Sequence, residues 1–201
     1  VVSSSLIDIL EAPQLARRLL AGSAAVIPTD TLPGLAIQPE CADRLWTIKR
    51  RPADKPLILM GSSAVELISL CDESCRDEAM TMALDHWPGA LTLVLPSTAP
   101  VVGWLNPGGS SLGLRVPNSS LTCSLLSRSG PLATTSANRS GEPSCASAAE
   151  AAVVFPDLPQ LGPQPWPRLS GQASTVLAWD GPGRWRLLRR GAVMPTGCQD
   201  R

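Results

Sequence analysis

The sequence predicts an α/β (α+β) fold with one twisted mixed parallel/antiparallel sheet flanked by helices, and three observations carry that reading. Apolar strand-like runs and helical stretches interleave along the whole length. The chain's 20 Pro and 16 Gly fall largely between those runs, where they punctuate them. Connections such as the one from the strand 91–95 to Leu112 are too irregular for a plain doubly wound order, so strands of both directions are expected.

The elements follow in order. Leu15, Leu19 and Leu20 recur at helical spacing behind Pro13, which suits a first turn, and Gly22 stands where a C-cap belongs, giving a helix over about 12–21. Residues 24–27 form a short apolar strand. It breaks at Pro28 into the hydroxyl-bearing loop Pro28-Thr29-Asp30-Thr31-Leu32-Pro33, after which Gly34 and Leu35 resume a strand. Leu45 and Ile48 mark a helix over 42–50, with Lys49, Arg50 and Arg51 at its end and Pro52 forbidding continuation. Residues 57–60 read as a buried strand, 63–70 and 74–86 as helices, and 91–95 as a strong strand closed by Pro96. A loop over 106–111 leads to a strand over 112–116 carrying Arg115, then a helix over 119–128. Thr134 and Thr135 end an apolar run, and a weak helix spans 146–154. The Pro-, Gly- and Gln-rich stretch 156–174 reads as a surface excursion, and 175–178 with 184–189 as a closing strand pair around Asp180-Gly181-Pro182-Gly183.

A length of 201 residues suits a single domain over 1–201. Lys and Arg number 17 against 17 Asp and Glu, with 44% hydrophobic residues, which excludes both a disordered chain and a polycation made for bulk nucleic-acid binding. The six cysteines are scattered and form no disulfide framework or paired metal motif, so they read as small buried apolar residues in a reducing, cytoplasmic setting. No metal ligand set is expected. The only histidine, His86, reads as a helix-end residue, and no apolar run approaches the roughly 20 residues needed to span a membrane. The six Trp are offset by one Phe and no Tyr, and Trp166, Trp179 and Trp185 read as packing residues rather than a stacking platform.

No glycine-rich phosphate cradle of the P-loop or dinucleotide type is present. Phosphate-sized donors instead gather in three places: Lys49, Arg51 and Lys55; Ser136 and Asn138; Arg189 and Arg190. Guanidinium forks and ammonium point charges match phosphate oxygens, and hydroxyl and amide groups orient them. The first two clusters also have plainer readings, a charged helix end for Lys49-Arg50-Arg51 and a cap for Ser136 and Asn138.

Taken together and in order, these fragments resemble the threonylcarbamoyl-AMP synthase (YrdC) family of tRNA modification. The resemblance rests on Pro28-Thr29-Asp30-Thr31-Leu32-Pro33-Gly34-Leu35, Lys49-Arg50-Arg51-Pro52 with Lys55-Pro56-Leu57, and Trp87-Pro88-Gly89-Ala90-Leu91-Thr92. It continues through Arg115-Val116-Pro117, Ser136-Ala137-Asn138-Arg139-Ser140-Gly141, Ser174-Thr175-Val176 and Arg189-Arg190-Gly191, covering about 12–194 and matching the short, single-domain form. It implies an enzyme, a nucleotidyltransferase, that makes threonylcarbamoyl-AMP and pyrophosphate from L-threonine, bicarbonate or CO2, and ATP. Carried over by position, Lys49 and Arg51 are the catalytic cations, and Lys49, Arg51, Ser136, Asn138 and Arg189 hold ATP. Thr29, Thr31 and Arg115 meet threonine or its carbamate, and Mg²⁺ accompanies ATP. Downstream tRNA threonylcarbamoyl-transferase proteins are the implied partners.

One departure stands out, since Pro33 occupies a position where the family carries an aromatic ring. Leu32, Leu35 and Met60 are expected to complete the amino-acid pocket in its place. Two other readings compete: a module that binds RNA weakly through a positive cavity, and a paralogue that keeps nucleotide binding without threonine chemistry.

Overall fold

The computed structural model describes residues 7–50 and 55–196. Ten strands make one sheet in the order β1-β8-β2-β3-β7-β4-β6-β5-β9-β10. The strands are β1 (Ile9–Leu10), β2 (Ala25–Ile27), β3 (Gly34–Ile37), β4 (Ile58–Met60), β5 (Leu91–Pro96), β6 (Ser111–Arg115), β7 (Leu132–Ser136), β8 (Gln160–Leu161), β9 (Thr175–Trp179) and β10 (Trp185–Arg189). The helices are α1 (Ala12–Leu20), α2 (Asp43–Lys49), α3 (Ala64–Ser69), α4 (Glu73–His86), α5 (Val101–Leu105), α6 (Ser120–Ser129) and α7 (Ala148–Val154). The sheet is mixed as expected, with β4 parallel to β6 and β5 to β9, while β3, β7 and β4 alternate in direction.

Because side chains alternate across a strand, the register sorts the core into two layers. Val26, Leu35, Leu59, Leu93, Leu114, Ala133 and Leu177 share one face and pack against α2, α3, α4, α5 and α7. Ala25, Ile27, Ala36, Met60 and Leu132 point to the other face and meet Leu15 and Leu19 of α1 and Leu125 and Leu126 of α6. Both helices start as their sequences direct. Pro13 sits in the first turn of α1, and the Ser119 hydroxyl accepts the Thr122 amide to cap α6. Among the described helices, only α1 and α6 cover the second face, and they do so at one end. Beyond it, the same face of β4, β7, β6 and β5 carries Ile58, Thr134, Ser136, Gly113, Arg115 and Thr92, by their register.

Two expectations needed correction. The excursion 156–174 is not all surface: Gln160 and Leu161 form β8, buried between β1 and β2, where the Gln160 and Gly162 amides donate to the Asp8 and Leu10 carbonyls and the Val26 amide donates to the Pro159 carbonyl. The connection from the strand 91–95 to Leu112 is not all irregular: ahead of the 106–111 loop it contains α5, a Val-Val-Gly-Trp-Leu turn with no capping side chain to announce it. Arg50, exposed at the end of α2, takes the left-handed conformation, φ 52°, a role usually met by Gly. The two-residue β1 and a short 3-10 turn, Pro39–Cys41, were also unforeseen. Pro52 and Arg51 lie outside the described residues. Among the described residues the cysteines are free and no cluster of metal-binding side chains occurs. No described helix is long and apolar enough to cross a membrane.

Candidate functional site

The uncovered part of the second sheet face forms a cavity of about 230 Å³. Its walls come from the β2–β3 loop (Thr29, Thr31, Pro33), the floor strands (Ile58, Thr134, Ser136, Arg115) and the chain around Ser174 and Arg189. Ile27 and Met60 belong both to this lining and to the α1–α6 core, so the dry layer ends where the cavity begins.

The β2–β3 loop is organised by its own hydroxyls. Thr29 Oγ1 accepts from the Thr31 and Leu32 amides at 3.0 and 3.2 Å and donates to the Leu32 carbonyl at 2.7 Å. With that proton committed, the 2.9 Å contact between Thr29 and Thr31 leaves Thr31 as donor. Thr31 Oγ1 in turn accepts from Arg115 Nη1 at 3.1 Å. Arg115 is 4% exposed; its Nε donates to the Gly89 carbonyl at 2.9 Å and its Nη2 to Asp30 Oδ1 at 2.7 Å. Burial pushes this guanidinium below its ordinary value, Asp30 opposes that, and the like charge of Arg189 adds to it. Among the described hydrogen bonds, these three leave one further N–H on each terminal nitrogen of Arg115. Asp30 also accepts the Asn118 amide at 3.0 Å, so it is more than a turn former.

On the opposite wall, Lys49 is 4% exposed and its ammonium is nested among oxygens of the Ser136–Gly141 turn. It donates to the Ser136 carbonyl at 2.8 Å, the Asn138 carbonyl at 3.1 Å, Ser136 Oγ at 3.3 Å and Asn138 Oδ1. These four acceptors are neutral. Asn138 donates its two amide hydrogens to the Arg139 and Glu142 carbonyls, and Ser136 Oγ donates to Asn138 Oδ1. Thus Lys49, Ser136 and Asn138 meet, as the sequence suggested, but Ser136 lines the cavity while Lys49 and Asn138 stand behind it. Arg51 lies outside the described residues, and Lys55 gives its carbonyl to Trp46 Nε1.

Arg189 reaches the cavity through a bulge. Leu187 pairs with Leu177 on the helix-covered face, and Arg189 pairs with Val176, the next residue back, so Leu188 is extra and Arg189 is turned to the cavity face. Its Nε and Nη2 hold the Ser174 carbonyl at 3.1 and 2.9 Å, Nη2 also reaches Ser174 Oγ, and Ser174 Oγ lies 2.9 Å from Thr92 Oγ1. Among the described ion pairs none involves Arg189, and burial lowers its pKa. Gly191 explains the end of that motif: a Cβ there would lie 2.3 Å from the Ala173 carbonyl and 2.4 Å from Thr175 N.

The aliphatic wall differs from expectation. Leu32 and Met60 line the cavity, but Leu35 is fully buried on the opposite face opposite Thr135, and Ile27 and Ile58 take its place. Alternation along β3 decides this, since Leu35 shares the face of Val26. Sequence reasoning also missed Pro56, Ser144, Thr134 and Ser174 as lining residues. Thr134 carried a signal, a hydroxyl at a strand position facing away from the apolar pattern, whereas Ser174 lies just before β9. His86 ends α4, and Trp166, Trp179 and Trp185 pack against the core as read.

Fold and site define a mixed-sheet protein whose open sheet face holds a hydroxyl-lined cavity flanked by two guanidinium groups, a class suited to anionic ligands. The Sua5/YciO/YrdC family model, described as telomere recombination, matches residues 17–191. The chain belongs to that family, the threonylcarbamoyl-AMP synthase (YrdC) family that its motifs resemble. It is 35% identical over 135 residues to the threonylcarbamoyl-AMP synthase of Klebsiella pneumoniae subsp. pneumoniae, covering 65% of this chain and 71% of that protein. The crystal structure of P. abyssi Sua5 complexed with L-threonine superposes with a TM-score of 0.84 at 30% identity, over 93% of this chain and 58% of that one, so the chain spans a little over half of it. E. coli YciO shares the fold at a TM-score of 0.75, with 21% identity and 92% of each chain covered.

Proposed function

We propose that this protein makes threonylcarbamoyl-AMP and pyrophosphate from L-threonine, bicarbonate or CO2, and ATP, as a nucleotidyltransferase supplying a tRNA-modifying step. The observation that carries the reading is the pairing of two partly desolvated guanidinium groups, Arg115 and Arg189, across a hydroxyl-lined cavity, in a fold that matches a threonine-bound relative. In this reading the threonine amine adds CO2 with loss of a proton, giving a carbamate. A carbamate oxygen attacks the α-phosphorus of ATP, and the bond to pyrophosphate breaks.

No protein nucleophile is needed, so the protein's task is to hold two anions in line and to stabilise the charge that develops on the leaving group. Arg115, with Thr31 beside it, suits the amino-acid carboxylate or carbamate, and Thr29 fixes the loop that presents Thr31. Lys49, buried against Ser136 and Asn138, places positive charge behind the phosphate wall, and Arg189 closes the nucleotide side; Arg51 is assigned to the phosphates with Lys49. Asp30, the carboxylate of the β2–β3 loop, is already engaged by Arg115 and Asn118, and no described cluster of metal-binding side chains exists. The donor set therefore suits Mg²⁺ only as a companion of the ATP phosphates, where it supplies charge neutralisation. Bicarbonate, downstream transferases and a cytoplasmic setting belong to the same proposal.

The test is incubation with labelled L-threonine, bicarbonate and ATP. Pyrophosphate and an AMP-linked threonine product are expected only when all three are present; ADP and phosphate, or turnover indifferent to threonine, would remove the reading. Valine in place of threonine is expected to be far poorer, because loss of a hydroxyl contact leaves a buried polar group unpaired.

A further inference from the structure

The turn that receives Lys49 is fastened to α2 and α7 by a side chain to which the resemblance gives no role. Arg139 Nη1 donates to the Ile48 carbonyl, Nη2 donates to the Val154 carbonyl at 3.1 Å, and its guanidinium lies 4.7 Å from the centroid of the Phe155 ring. Phe155 is the chain's single Phe and is 2% exposed, so the platform is fixed. Ile48 and Val154 sit in the last turns of α2 and α7. Helices leave their final carbonyls without intrahelical partners, at the negative end of the dipole. One planar fork thus satisfies an orphan carbonyl on each of two helices, which the compact ammonium of a lysine cannot span in the same way.

The consequence reaches the cavity wall. Ser140 N donates to the Lys49 carbonyl at 2.9 Å, one residue from the Arg139 tie, while the Lys49 ammonium returns to Ser136 and Asn138. The backbone and the side chain of Lys49 are therefore held by the same turn, and Arg139 locks that turn to the helix that bears Lys49. We infer that Arg139 is a positioning residue for the phosphate side of the cavity, fixing where Lys49 and Ser136 stand without touching the ligand. This rests on the nucleotide reading of the site.

The experiment measures binding of inorganic pyrophosphate, ATP and L-threonine by titration calorimetry to the full chain, its R139L and R139K variants, with thermal unfolding alongside. Because R139L frees the turn that holds Lys49 and Ser136, that turn must be ordered on binding, and R139L is expected to bind pyrophosphate and ATP about tenfold less tightly. Threonine affinity is expected to stay within about twofold, since the Thr31–Arg115 wall is built from other elements. R139K, which keeps the charge and can reach one carbonyl, is expected to fall between. If R139L does not fold, R139K alone decides, by losing pyrophosphate affinity while keeping threonine affinity. Unchanged pyrophosphate binding in the variants, an equal loss of threonine and pyrophosphate, or R139K no better than a folded R139L would overturn the inference. Failure of the wild-type protein to bind either pyrophosphate or ATP would instead overturn the nucleotide reading, and with it the site that Arg139 serves.

Discussion

The second face of the sheet is one continuous surface put to two uses. At the β2–β3 end, Leu15, Leu19, Leu125 and Leu126 close over Ala25, Ile27 and Ala36, and each fully buried leucine contributes roughly 1.5–3 kcal/mol to stability. Towards the other end, in β7, β6 and β5, the same pleat positions hold Thr134, Arg115 and Thr92, with no described helix over them. The difference teaches that a site of this kind is made by withholding a helix: the strands alternate as any strand does, and function sits where the outward set is polar and no apolar cover arrives.

That contrast can be broken from either end. The largest effect is expected from Lys49→Met, which should lower turnover on the order of 10²- to 10³-fold in a steady-state pyrophosphate-release assay. It should also cost about 1–3 kcal/mol in denaturant unfolding, because the carbonyls of Ser136 and Asn138 lose their donor. A charge at an open helix end would cost only ~0.3–1 kcal/mol, so the stability arm separates the nested ammonium seen here from a solvent-exposed one. At the covered end, Leu19→Ala should remove ~2–5 kcal/mol of stability and leave threonine and ATP affinity unchanged in whatever protein remains folded. A loss of affinity there would mean that the two halves of the face are mechanically one.

Smaller effects sharpen the boundary. Gly191→Ala must push against backbone atoms of residues 173–175, which is expected to cost ~1–3 kcal/mol and to weaken ATP binding, because Ser174 carries the acceptors for Arg189. Normal ATP affinity in that variant would show that Arg189 does not depend on this crossing. The least change is expected at Cys71, where burial, with Cys75 adding, pushes the thiol up to about 12. It should resist iodoacetamide at pH 8 in the folded protein and react on unfolding, as read by mass spectrometry.

Much of this molecule was legible one residue at a time. Pro13 and Gly22 bracket α1, Pro28 breaks β2 at the loop that carries Thr29 and Thr31, and the run 91–95 declares β5. Local chemistry sets these elements, because a fixed φ, a missing side chain or a hydroxyl beside its own backbone acts within a few residues. Ordered motifs also brought Lys49, Ser136 and Asn138 to one place on paper before any distance was known.

Position relative to the cavity was not legible, and the reasons are tertiary. Leu35 points away from the site because pairing with Thr135 puts it on the opposite face, and pairing is a property of two distant strands. Arg189 faces the cavity only because Leu188 is extra in the ladder with β9, an offset that no count along one strand reveals. Gln160 and Leu161 become a strand only because β1 and β2 leave a gap for them to fill. The sequence by itself determined the kinds of element, the hydroxyl loop, the anion-seeking cations and the family. Which side chains meet a ligand and which stand behind them was decided by register and by where the helices α1 and α6 stop, since both depend on contacts between segments far apart in the chain.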